Sequence, residues 1–82
     1  MSKTYWRQAI VTKYHGPTNT RAARVSARCD AATIFLTWDN KFDVDDNHTI
    51  AARTLAHKLG WPHSKMVGGG LPSGGYAFVF PE

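Results

Sequence analysis

The chain has 82 residues, 43% of them apolar, with a net charge of +4 and a single cysteine. That length allows one domain with one small core, and the apolar content excludes a disordered composition. A lone cysteine excludes an internal disulfide framework, and neither a signal-like leader nor a transmembrane-length apolar run is found.

In chain order, residues 4–14, TYWRQAIVTKY, predict a strand with Trp6, Ile10 and Tyr14 on one side and Arg7 and Lys13 on the other. The loop HGPTNT, 15–20, follows with Gly-Pro turn chemistry. Residues 21–29, RAARVSARC, admit two readings. A helix would gather Arg21, Arg24 and Arg28 on one face, but it would place Arg21 in the first turn and Asp30 in the last, both of the wrong sign for the helix dipole. A strand places Ala23, Val25, Ala27 and Cys29 inward and Arg24, Ser26 and Arg28 outward, a period of two, and is preferred. CDAA is then a tight turn into TIFLTW, 33–38, which makes a β-hairpin.

After the loop DNKFD, residues 44–59 predict a helix with Val44, His48, Ala51, Ala52, Leu55 and Leu59 on one stripe. Asp43 is its cap, Asp45 and Asp46 suit its first turn, and Gly60 followed by Trp61 and Pro62 ends it. Residues 65–70 can pair with a final strand in which Tyr76, Phe78 and Phe80 alternate with Ala77 and Val79, and the three consecutive glycines suggest a bulge or a close backbone approach. The expected fold is α+β: an antiparallel sheet of four to five strands, in the element order β-β-β-α-(β)-β, with one helix on one face.

Charge is unevenly spread. Residues 1–28 hold Lys3, Arg7, Lys13, Arg21, Arg24 and Arg28 and no acid, whereas residues 29–82 hold four bases and six acids, a balance of −2. Such a distribution suits attraction to phosphate or carboxylate surfaces, and a merely solvated face would carry the same residues.

Sites for chemistry fail on spacing. The glycines at 68–70 and 74–75 lack the Lys-Ser/Thr ending and the following helix of a phosphate loop. DVDDN at 43–47 resembles a calcium loop only until its sixth position, His48, and its twelfth, Thr54. His15, His48, His57, His63 and Cys29 show no zinc spacing. Cys29 is expected on the inward side, where a thiol behaves as a small hydrophobe. The expectation is a binding protein without catalytic residues, cofactor or metal, with partner contacts at Arg7, Lys13, Arg21, Arg24 and Arg28. Tyr5 and Phe35 fall on the arginine side by parity, as a nucleic-acid platform would require.

VTKYHGPTNTRAARVSARCDA, NHTIAARTLAHKLGW and VGGGLPSGGYAFVF together resemble a group of small uncharacterised proteins encoded by bacteriophages, prophages and plasmids. The likeness runs along nearly the whole chain. It departs at Ala22-Ala23, where a glycine beside Arg21 is expected. The resemblance implies an inhibitor of the anti-CRISPR type, acting in the bacterial cytoplasm on a host protein or ribonucleoprotein complex such as a CRISPR effector subunit. A nucleic-acid-binding accessory protein for phage replication or transcription is the alternative.

Overall fold

The structure, a computed structural model, describes residues 9–61, 65–72 and 74–80. β1 (Ile10–His15), β2 (Arg24–Arg28) and β3 (Thr33–Thr37) form an antiparallel meander. The chain then crosses one face of the sheet as α1 (Val44–Lys58) and returns as the hairpin β4 (Val67–Gly70) and β5 (Tyr76–Val79). β5 pairs antiparallel with β1, so the five-stranded order is β3-β2-β1-β5-β4 and β1 is central. The α+β fold and the element order agree with the sequence reading.

Some boundaries differ. The first strand extends to His15, which was expected in the loop, and residues 1–8, including Trp6, lie outside the described residues. The second strand begins only at Arg24, so Arg21 belongs to the preceding loop. There Thr18 organises the turn. Its amide donates to the Arg21 carbonyl at 2.8 Å, and its Oγ1 accepts from the Arg21 amide at 3.1 Å. A local hydroxyl-to-backbone turn of this kind satisfies groups that a longer strand would have had to pair.

α1 starts and stops as its sequence dictates. The Asp43 carboxylate accepts from the Asp46 amide at 3.0 Å, and Asp45 and Asp46 occupy the positive end of the dipole. At the other end Gly60 takes a φ of 75°, its amide donates to His57 O, and the Trp61 amide donates to Ala56 O. This pair of bonds is a Schellman ending, and it requires the left-handed conformation that glycine adopts without a steric cost.

The helix packs chiefly over β1, β2 and β3. The core between the layers is Ile10, Val25, Ala27, Ala51, Ala52, Leu55, Ala56, Phe78 and Phe80. Alanines on both layers keep that interface thin, so a few larger side chains supply most of the buried area. The stripe expected on the helix is corrected at its start, where Val44 is 52% exposed; Leu59 packs partly buried against the core, and Asn47 and Ala56 are buried in addition. Asn47 is buried because its side chain turns back into the loop before the helix. Its Oδ1 accepts from the Asp39 amide at 3.0 Å, and its Nδ2 donates to Asp39 O at 2.9 Å and Asp43 O at 3.0 Å, with a longer approach to Phe42 O at 3.3 Å.

The three glycines form a regular edge strand, and the expected close approach occurs at one of them. A Cβ on Gly68 would lie 2.6 Å from a ring carbon of Phe78, so the absence of a side chain is what lets that ring lie flat across β4. Gly75 is constrained from the other side, because a Cβ there would run into the Thr12 carbonyl oxygen of β1.

Candidate polyanion-binding face

Strand parity decides which side chains reach the face that α1 leaves uncovered. Register places Arg24 between His15 and Thr37, Ser26 between Lys13 and Phe35, and Arg28 between Val11 and Thr33. Ile10, Thr12, Val25 and Ala27, the alternate positions, are buried beneath the helix. The open face therefore gathers Lys13, His15, Arg24, Arg28 and Phe35 from three adjacent strands.

These residues form a layered arrangement. Phe35 is 53% exposed, and the Arg24 guanidinium carbon lies 5.2 Å from its ring centroid. The His15 ring is tilted against the same phenyl ring at 5.6 Å, and His15 Nε2 is 2.9 Å from Ser26 Oγ. His15 is held below its ordinary pKa of 6.5 by desolvation first, then by the charges of Arg24 and Lys13. It is thus disposed to stay neutral while Lys13, Arg24 and Arg28 supply the positive charge. A concavity of about 440 Å³ lies beside this group, lined among others by Lys13, His15, Arg28, Phe35 and, from the β4–β5 hairpin, Leu71 and Gly75.

Placement of the five expected contact residues is mixed. Lys13 and Arg28 are exposed on this face. Arg24 is on the same face but half-buried, with its Nε shielded from solvent and lacking a hydrogen-bond partner among the described residues. Ser26 points to this side as expected, yet it is 6% exposed because its neighbours cover it. Arg21 is exposed but lies in the loop, off the strand whose parity was to orient it. Arg7 and Tyr5 lie outside the described residues.

The remaining sequence candidates behave differently. Cys29 is half-buried against the core. His48 is 1% exposed on the helix side, and its Nδ1 is 2.7 Å from the buried Thr12 Oγ1. Among the described residues no group of three or more His, Cys, Asp or Glu is arranged to hold a metal ion. Also among them, no helix is long and apolar enough to cross a membrane.

His15 was missed as a member of the face because it was read as a loop residue. The alternation that put Lys13 outward, carried two residues further, would have found it. Comparison of the chain with models of protein families, with curated proteins and with solved structures gave no match.

Proposed function

We propose that this is a binding protein whose open sheet face docks on single-stranded nucleic acid, with RNA held within a host ribonucleoprotein as one such target. The observation that carries the reading is the half-exposed Phe35 ring set among Arg24, Arg28, Lys13 and His15 on one face. Cations track a phosphate backbone and an aromatic ring stacks a base, and single-strand binders combine the two. Arginine adds charge-assisted, bidentate contacts to phosphate. Together with the resemblance to mobile-element proteins, this supports a phage-encoded inhibitor of a host defence complex of the anti-CRISPR type, working by occupancy and not by catalysis.

A second reading has its own observation. The Arg24 guanidinium already lies over Phe35, so part of the ring presents a cation in place of a bare π face. That arrangement suits a carboxylate-rich protein surface. Fluorescence anisotropy with random single-stranded RNA and DNA at physiological salt separates the two. The nucleic-acid reading expects a Kd of about 10⁻⁴ to 10⁻⁶ M or tighter and a steep loss of affinity with salt. An absence of binding, with retention of an acidic host protein on the immobilised chain, would replace it with the second reading.

A further inference from the structure

On the helix side of the sheet, away from the basic face, the strands and α1 leave a cleft that the proposed function does not use. It is lined by Tyr14, Trp38, Val44, His48, Gly74 and Tyr76 and has a volume of about 340 Å³. The rings stand as walls. Tyr14 and Trp38 meet edge to face at 4.7 Å and 74°, Trp38 and His48 at 5.7 Å and 79°, and Tyr76 tilts against His48 at 4.4 Å. Tyr14 is 44% exposed and Val44 more so, which leaves the mouth open.

One wall of this cleft is bonded to a carboxylate, whereas among the described residues no acid lines the concavity of the basic face. Tyr76 Oη donates to Asp45 Oδ1 at 2.7 Å. The phenol is held above its ordinary pKa first by that bond, then by burial and by the charges of Asp45 and Asp43. We infer that the cleft is a binding site for a quaternary or fully methylated ammonium group, held among the rings of Tyr14, Trp38 and Tyr76, with the Asp45 carboxylate bonded to the Tyr76 hydroxyl behind the wall. Negative ring faces attract a cation, and the attraction grows as the cation is desolvated. A primary ammonium or a guanidinium would need three to five acceptors inside the cleft. Two of the polar wall atoms are already engaged, Tyr76 Oη with Asp45 and His48 Nδ1 with Thr12. A methylated cation needs none.

The test is an NMR titration of the isotope-labelled full chain with choline, and separately with the uncharged analogue that has carbon in place of the quaternary nitrogen. The expected result is shifts at Tyr14, the Trp38 indole, His48, Gly74 and Tyr76, with choline bound roughly tenfold or more tightly than its carbon analogue. Asp45→Asn and Tyr14→Leu, both at exposed positions, should each weaken choline binding while leaving the rest of the spectrum in place. Replacing Lys13 and Arg28 on the opposite face should leave it unchanged, which separates this site from the nucleic-acid reading. Equal affinity for the two compounds, shifts confined to other residues, or no saturable shift would overturn the inference.

Discussion

Thr12 Oγ1 on the central strand and His48 Nδ1 on the helix stand 2.7 Å apart, both buried, and tie the two layers together through a polar contact inside the core. Burial pushes the His48 pKa below 6.5, against an opposing pull from the Asp45 carboxylate. A histidine of depressed pKa is neutral in the folded state, while the unfolded chain takes up a proton near 6.5. The unfolded state then binds more protons, so stability falls as pH drops through that value and is fully present above it. His15, shifted the same way, adds in the same direction. Urea unfolding between about pH 5 and 8 should show the midpoint falling on the acid side, and His48→Gln should flatten that dependence. A midpoint that rises on acidification would contradict the assignment.

Gly75 sits against the β1 backbone, whereas a Cβ on Gly69 would meet nothing within 4 Å. The two glycines should therefore respond differently to the same substitution. Gly75→Ala should lose about 1–3 kcal/mol by overpacking against the Thr12 carbonyl. Gly69→Ala should stay within roughly 0.5 kcal/mol of the parent. Denaturant midpoints of the two variants check this directly.

Asn47 holds the loop between β3 and α1 by accepting from the Asp39 amide and donating to the Asp39 and Asp43 carbonyls. Asn47→Ala leaves those part-buried backbone groups without their partner, at a cost of about 1–3 kcal/mol. Hydrogen exchange should show the Asp39 amide losing protection before the amides in the middle of α1. Unchanged protection at Asp39 would mean the loop is held by other contacts.

What could be read from the sequence was local. Asp43 and Gly60 mark the helix ends because capping and left-handed termination are decided within a few residues. Alternation in ARVSARC identified the inward and outward sides of β2 for the same reason. What could not be read depends on partners distant in the chain. Nothing near Tyr76 announces that β5 inserts beside β1, and hence that Tyr14, Trp38, His48 and Tyr76 converge. Arg24 is outward by parity yet half-buried, and its guanidinium lies over Phe35 of the next strand, a cross-strand neighbour that alternation within β2 does not reveal. Val44 fits the helical period yet lies where the sheet no longer covers the helix.

That covering also decides which substitutions test the basic face. Arg24→Glu would place a carboxylate in a half-buried position and confuse binding with stability. Lys13 and Arg28 are exposed and avoid the difficulty. The most direct measurement is single-stranded RNA binding by anisotropy for the parent and for Lys13→Glu plus Arg28→Glu, with melting temperature recorded alongside. The double variant should lose at least tenfold in affinity while its stability stays within about 1 kcal/mol of the parent. Undiminished binding by a well-folded double variant would contradict the claim that this face carries the function.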